Sequence, residues 1–136
     1  MWRGQSGTWL IVALALVFVA LGILFVAAPA AGAALFGLPA SDATTLAYVA
    51  AIGFRDLAFG LYLAALARLS SRRAVGTVMG LTALIPIGDV IIVAVMRGLS
   101  SPGHLLLHAG SGAVLVGGSY WLLRSDENTN GKDCRP

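Results

Sequence analysis

Long apolar stretches alternate with short polar or Gly/Pro-containing breaks along the whole chain. A membrane-spanning helix needs about 20 predominantly apolar residues. Four stretches meet this condition, at about 9–28, 45–69, 74–96 and 103–123. The pattern predicts an all-α fold in which a four-transmembrane-helix bundle forms one domain over residues 1–124. A polar tail, SDENTNGKDCRP at 125–136, is predicted to be disordered.

The stretch between the first two spans, PAAGAALFGLPASDAT at 29–44, differs from the other connections. It is too apolar for an ordinary loop and too broken by glycine and proline for a further span. We expect a short interfacial or re-entrant segment here, and a flexible connection lying on the lipid headgroups fits the pattern equally well. The first span is longer than the apolar region of about 7–15 residues in a secretory signal, so we expect it to be retained.

Composition points to the same class of protein. Of 136 residues, 58% are hydrophobic and only 11% are charged, which is typical of an integral membrane protein. The single cysteine, Cys134, supports neither a disulfide framework nor a thiolate metal site. The net charge is +3, but the basic residues do not form a face interleaved with aromatic residues. We therefore expect no nucleic-acid partner.

Basic residues are unevenly distributed among the connections. Seven lie at the amino terminus, in the second connection and after the fourth span: Arg3, Arg68, Arg72, Arg73, Arg124, Lys132 and Arg135. The first connection has none, and the third has Arg97 alone. Because cytoplasmic loops carry the excess of lysine and arginine, both termini are predicted to be cytoplasmic, in the cell or inner membrane.

Ionisable residues interrupt three of the spans. The second contains GFRDLAFG at 53–60, with Arg55 beside Asp56, and the third contains LIPIGD, which ends at Asp89. A charge near the bilayer centre costs about 2.5–3.5 kcal/mol even on the lenient insertion scale. At about 1.5 Å per residue, Asp89 lies roughly 12 Å and His108 roughly 8 Å from the outer ends of their helices. The sequence therefore predicts a polar pocket in the middle and outer part of the bundle.

The expected pairing within this pocket joins Arg55 to Asp89 across two helices, since a guanidinium and a carboxylate form a two-pronged hydrogen bond. Asp56 would then turn to His108, to Tyr48 or Tyr62, or to water. A buried carboxylate with few partners is suited to exchanging a proton near neutral pH. Asp56 is therefore the first candidate for acid–base chemistry.

The predicted site has two groups of residues. The proposed proton-transferring residues are Asp56, Asp89 and His108. The proposed ligand-binding residues are Arg55, Tyr48, Phe59, Tyr62, His104 and Ser111. His104 and His108 share a helix face, but the sequence shows no third metal ligand, so neither a metal nor another cofactor is expected. His108 could equally be a satisfied polar group between helices, and the aromatic residues could belong to the core or contact lipid.

Small residues and proline also have two interpretations. Pro86 and Gly88 should loosen the third span near Asp89, either as a packing kink or as part of a wet pocket. Gly76 and Gly80 form a GxxxG motif, which we expect to serve close packing within the bundle, and a homodimer is the other use of such a pattern.

The charged pair Arg55 and Asp56, the SSRR turn and the P-x-x-D motif of Pro86 and Asp89 resemble one known family. It comprises small four-span membrane proteins of bacteria and fungi, catalogued as domain of unknown function four-two-six-seven. The resemblance covers about residues 45–123 and implies these four residues as the polar core of the family. It implies no activity, and it assigns no role to the two histidines.

Three hypotheses of function follow. In the first, the pocket binds a small lipophilic molecule and transforms it as a cofactor-independent acid–base isomerase, cyclase or hydrolase. In the second, the same groups carry protons in small-molecule transport, although the nearly uncharged inner half offers no continuous polar path. In the third, the charges fix helix packing in an accessory membrane subunit. Membrane lipid is the expected surrounding in all three.

Overall fold

The computed structural model describes the backbone of residues 5–130 and the side chains of residues 8–124. Within that range the chain forms helices and no strands: α1 Gln5–Ala27, α2 Pro29–Phe36, α3 Ala43–Leu69, α4 Arg72–Thr82, α5 Leu84–Arg97 and α6 Pro102–Asn130. Four segments are long and apolar enough to cross a membrane: Thr8–Ala27, Ala43–Leu69, Arg72–Arg97 and Pro102–Arg124. The predicted all-α bundle of four spans is confirmed.

The carboxyl-terminal tail lies only partly within the described residues. Residues 125–130 of the tail predicted to be disordered continue α6 as helix. The remainder of that tail, with Lys132, Cys134 and Arg135, lies outside the described residues, as does Arg3.

The first two spans, α1 and α3, pack with their backbones in contact. A Cβ atom on Gly22 would lie 2.7 Å from the Gly53 carbonyl oxygen, and one on Gly60 would lie 2.8 Å from that of Ala15. Such distances exclude any side chain, so the close approach of α1 and α3 requires glycine at these positions. Asp56 lies on the same buried stripe of α3 as Gly53 and Gly60. The glycine contacts therefore fix the rotation that turns Asp56 inward.

The third and fourth spans form a second pair, in which α4 packs on α6. A Cβ atom on Gly76 would lie 3.2 Å from Leu122 Cβ, and one on Gly80 would lie 2.8 Å from Ser119 Oγ. The Ser119 hydroxyl donates a hydrogen bond to the Gly76 carbonyl oxygen at 2.7 Å. The GxxxG motif thus serves packing within the bundle, as expected.

The two pairs meet through side chains in an apolar core. Its buried members are Ile11, Ala15, Leu63, Val75, Met79, Ala83, Leu115 and Leu122. They come from the first half of α1, the second half of α3, α4 and the break that follows it, and the middle and second half of α6. This is the half of the bundle in which the sequence places few ionisable residues within the spans.

The third span is divided into α4 and α5 at Ala83. Pro86 explains the break, because proline has no N–H group and its ring clashes with the carbonyl four residues earlier, that of Thr82. At the break, the Ala83 N–H donates a hydrogen bond to the carbonyl oxygen three residues earlier, that of Gly80, at 3.2 Å. The Thr82 hydroxyl donates to the Val78 carbonyl oxygen at 2.7 Å. The loosening predicted near Asp89 is therefore present, at Ala83, about one turn before Pro86.

The connection between the first two spans contains α2, which packs against α1 and α3. Pro29 occupies the start of this helix, where its missing N–H costs nothing. The helix ends at Gly37, whose φ of 101° is one that glycine adopts readily. The segment expected to be interfacial or re-entrant is therefore a short helix followed by a turn.

An acidic residue then begins the second span. Asp42 accepts a hydrogen bond from the Thr45 backbone N–H at 2.8 Å and so caps the first turn of α3. This backbone hydrogen bond lowers the pKa of the Asp42 carboxyl below its ordinary value.

Candidate functional site

A partly open cavity of about 400 Å³ lies between the two helix pairs, on the α2 side of the core. Its volume is within the range of about 300–1,000 Å³ that is typical of small-molecule sites. Most of its lining is apolar and comes from α1, α2 and α6. The polar or ionisable side chains among the lining residues are Arg55, Asp56, Asp89, His108 and Ser111.

Arg55 and Asp56 form an ion pair within one helix. Arg55 Nε lies 3.1 Å and Arg55 Nη2 lies 3.0 Å from the same oxygen, Asp56 Oδ1. The Asp56 side chain is only 8% exposed, whereas that of Arg55 is 44% exposed. A guanidinium has five N–H donors, and the described residues offer Arg55 no further hydrogen-bond acceptor. Its other donors are therefore available to a molecule in the cavity.

Asp89 and His108 form the second polar pair, between α5 and α6. His108 Nδ1 lies 3.6 Å from Asp89 Oδ2, and both side chains are largely buried. The other ring nitrogen, Nε2, lies 2.9 Å from the Phe36 carbonyl oxygen. Because a carbonyl oxygen only accepts, Nε2 carries a proton and donates it. Nδ1 and the carboxylate then face each other as two acceptors, unless one further proton lies on either group.

These contacts correct the predicted pairing. The expected Arg55–Asp89 ion pair is wrong, because the guanidinium of Arg55 contacts its neighbour Asp56 instead. Adjacent residues point about 100° apart on a helix, but the long arginine side chain bends back over that angle. His108, one of the partners expected for Asp56, faces Asp89.

Residues of α5 and α6 hold the end of α2, where Phe36 lines the cavity. Arg97, at the end of α5, donates from Nη1 to the Gly37 carbonyl oxygen at 2.9 Å. The ring of His104 packs on Gly37, where an added Cβ atom would lie 2.8 Å from the ring. The Phe36 and His108 rings also contact each other, with centroids 4.8 Å apart. Residues from α5 and α6 thus hold both Phe36 and Gly37.

The structure brings five of the nine predicted site residues to the cavity: Arg55, Asp56, Asp89, His108 and Ser111. The Ser111 hydroxyl donates to the His108 carbonyl oxygen at 2.8 Å, so its proton is engaged within α6.

The other four predicted residues do not line this cavity. Tyr48 and Tyr62 are 70% and 65% exposed on the outside of α3. Phe59 packs edge-on against Phe18, with ring centroids 4.7 Å apart. His104 supports Gly37 rather than the cavity wall. No group of three metal-ligating side chains occurs among the described residues.

The residues of α1 and α2 that face the cavity were not among the predicted site residues. Phe18 and Phe25 contribute aromatic walls from α1, and Leu35 and Phe36 contribute from α2. Phe36 also acts through its backbone oxygen. The only sequence signal for α2 was the unusually apolar connection between the first two spans.

The sequence of the chain matches one family of proteins over most of its length. The family model described as Domain of unknown function (DUF4267) matches residues 15–122. The chain belongs to this family. The match covers well over half of the chain and includes all five polar residues of the cavity. It confirms the family inferred from the charged motifs, and its description assigns the family no activity. Neither a curated protein nor a solved structure matches the chain.

Proposed function

We propose that this membrane-spanning protein binds a small lipophilic molecule in the cavity and performs acid–base chemistry on it. The observation that carries the proposal is the Asp89–His108 pair facing a mostly apolar cavity. Buried ionisable groups inside membrane spans usually mark functional sites, because placing them there is costly. An apolar cavity with a few convergent polar groups is the usual form of a ligand site.

The proton is exchanged in this proposal between Asp89, His108 and the ligand. The hydrogen bond to the Phe36 carbonyl oxygen keeps His108 Nε2 protonated, so Nδ1 is the atom that gains or loses a proton. With one proton on either Nδ1 or the Asp89 carboxylate, the other group can remove a proton from one ligand atom, and the pair can return a proton to another. Isomerase, cyclase and hydrolase reactions all need this acid–base function.

Arg55 and Asp56 have different roles in the same proposal. The N–H groups that Arg55 does not use on Asp56 would donate to a ligand oxygen that gains negative charge during proton removal. Asp56 holds the guanidinium in place, and its second carboxylate oxygen remains a further candidate proton acceptor. Positioning of Arg55 is the role that its contacts favour.

Two alternatives come from other classes of function. An accessory subunit without chemistry is favoured by the Arg55–Asp56 contact, since a pair satisfied within one helix can serve packing alone. Proton-coupled transport needs a polar path through the whole bundle. The apolar core around Leu63, Met79 and Leu122 closes the other side of the cavity in the described residues, which disfavours that function.

The test compares purified wild type with Asp89→Asn and Asp56→Asn by native mass spectrometry and lipid extraction. Asp42→Asn is the matched control, because Asp42 is an exposed carboxylate outside the cavity and asparagine also caps helices. We expect a co-purifying lipophilic molecule in wild type and Asp42→Asn that is lost or chemically altered in the other two. Folded proteins that are all equally empty would favour the accessory role.

We also propose that both termini face the cytoplasm. Arg68, Arg72, Arg73 and Arg124 lie at one end of the bundle, and Arg97 lies at the other, which fits the positive-inside rule. The single cysteine, Cys134, reports on the carboxyl terminus. A membrane-impermeant maleimide should label it only in opened cells, and labelling in intact cells would reverse the orientation.

A further inference from the structure

The cavity has an opening between two membrane-spanning helices. Val17 of α1 and Leu107 and Val114 of α6 line the cavity, yet they are 52%, 51% and 49% exposed. Along the described residues, α1 and α6 do not pack closely on each other outside the shared core. On both helices, side chains that line the cavity are therefore also exposed on the outer surface of the bundle. The cavity opens sideways, between α1 and α6.

The position of this opening determines what it faces. Val17 lies in the middle of the span Thr8–Ala27, and Leu107 and Val114 lie within Pro102–Arg124. A sideways opening at that position meets the hydrocarbon region of the bilayer. Its rim is formed by aliphatic side chains, with the Ser111 hydroxyl already donating to a backbone oxygen. Hydrocarbon, rather than water or an ion, suits this rim.

The charges at the other side of the cavity restrict the polar end of a ligand. The charge of Arg55, the one guanidinium of the cavity, is balanced by Asp56, and one proton on the Asp89–His108 pair leaves that pair neutral. A phosphate or carboxylate head would bring a negative charge without a free counter-charge into this mostly apolar cavity, which is costly. A hydroxyl or carbonyl oxygen has no such cost. It can accept from the remaining N–H groups of Arg55, and a hydroxyl can also donate to Asp89.

We infer that the cavity takes up from the bilayer a long-chain lipid with a small uncharged oxygen head, an alcohol, aldehyde or ketone. The chain enters between α1 and α6 and lies along Val17 and Val114, while the oxygen reaches Arg55 and Asp89. This inference rests on the proposed function in using the same cavity, and it holds whether or not the lipid is transformed.

The test uses the full chain in phosphatidylcholine nanodiscs with hexadecanol that carries a photoreactive diazirine on its chain. After irradiation, peptide mass spectrometry locates the label. We expect label on the cavity-facing parts of α1 and α6. Excess hexadecanol should compete, whereas hexadecyl phosphate should compete about tenfold more weakly, which corresponds to about 1.4 kcal/mol of discrimination. Equal competition by the phosphate would overturn the assignment of an uncharged head.

The route of access is tested by narrowing the opening. Val17→Trp with Val114→Trp should reduce saturable labelling about tenfold. The matched control is Leu16→Trp with Val116→Trp, because these side chains are 65% and 52% exposed on the same helices but do not line the cavity. The control should label like wild type. Size-exclusion profiles and helical circular dichroism verify folding of each variant.

The outcomes separate this inference from the proposed function. Undiminished labelling in the folded Val17→Trp, Val114→Trp variant would overturn access between α1 and α6. If hexadecanol gives no saturable labelling while another molecule co-purifies in an Asp89-dependent way, the lipid class is wrong and ligand binding stands. If neither occurs, both the inference and the proposed function fail.

Discussion

His108 Nδ1 lies 3.6 Å from Asp89 Oδ2. This separation exceeds the donor–acceptor distance of about 2.7–3.2 Å in a direct hydrogen bond, so Nδ1 and Oδ2 are not directly hydrogen-bonded. The Phe36 carbonyl oxygen holds the opposite ring nitrogen at 2.9 Å and thereby fixes which atom faces the carboxylate. The carboxyl-terminal end of α2 thus orients the ring through a backbone atom.

The first prediction concerns this pair. His108→Leu leaves the Asp89 carboxylate without its partner and should destabilise the protein by about 1–3 kcal/mol. Adding Asp89→Leu removes the unpaired charge and should restore much of the stability. Ligand retention should be lost in both variants. Thermal unfolding in detergent and native mass spectrometry measure the two effects. A stable double variant that keeps its ligand would contradict the assigned role.

The second prediction concerns Arg55 and Asp56. Arg55→Ala leaves the nearly buried Asp56 carboxylate without its counter-charge, whereas Asp56→Ala leaves a half-exposed guanidinium that can move outward. Arg55→Ala should therefore cost more stability, about 1–3 kcal/mol. Unfolding midpoints of the two variants provide the comparison, and a larger loss in Asp56→Ala would refute it.

The third prediction concerns the contact of α1 with α3. Gly60→Ala places a Cβ atom 2.8 Å from the Ala15 carbonyl oxygen and should destabilise by about 1–3 kcal/mol. Gly110→Ala is the matched control, because an added Cβ atom there meets nothing within 4 Å. It should be neutral or stabilising by up to about 1 kcal/mol, given the higher helix propensity of alanine. Equal unfolding midpoints for both variants would mean that the helices are not in close contact.

The fourth prediction concerns the turn that follows α2. Arg97→Met removes the hydrogen bond to the Gly37 carbonyl oxygen. Backbone amides of the turn at residues 37–42 should then exchange with deuterium faster than in wild type. Arg73→Met is the control, because Arg73 is an exposed arginine at the opposite end of the bundle. Unchanged exchange in Arg97→Met would show that the turn is held by other contacts.

The fifth prediction concerns pH. The pKa of the Asp42 carboxyl is lowered by the Thr45 backbone N–H, so its cap stabilises α3 fully above the ordinary value of 3.8 and is lost as pH falls through the lowered value. Asparagine at this position does not titrate. The unfolding midpoint of wild type relative to Asp42→Asn should therefore decrease only below pH 3.8. A difference independent of pH would contradict the assignment of the cap.

The four spans and the break in the third were predictable from the sequence because their causes are local. Twenty-residue apolar runs identify the four spans, and the missing N–H of Pro86 identifies the break in the third. Arg55, Asp56, Asp89, His108 and Ser111 stand out as polar residues inside apolar segments, and all five line one cavity.

The remaining features depend on tertiary structure. Whether Arg55 reaches Asp89 or bends back to Asp56 depends on helix rotation, which is set by contacts such as Gly22 with Gly53. The outward direction of Tyr48 and Tyr62 was not predictable, because α3 is apolar around most of its circumference. The role of Phe36 belongs to a backbone oxygen, which every residue has, so no residue type indicates it.

The intrahelical position of the Arg55–Asp56 pair also bears on how the chain is made. α1 and α3 are consecutive spans, so their glycine contacts can form while α6 is still being synthesised. If Arg55 had depended on Asp89 as its counter-ion, its charge would have remained unpaired in the translocon until the third span was synthesised. Because its counter-ion is the next residue, the second span carries a neutral pair from the moment it leaves the ribosome, which lowers the cost of its insertion.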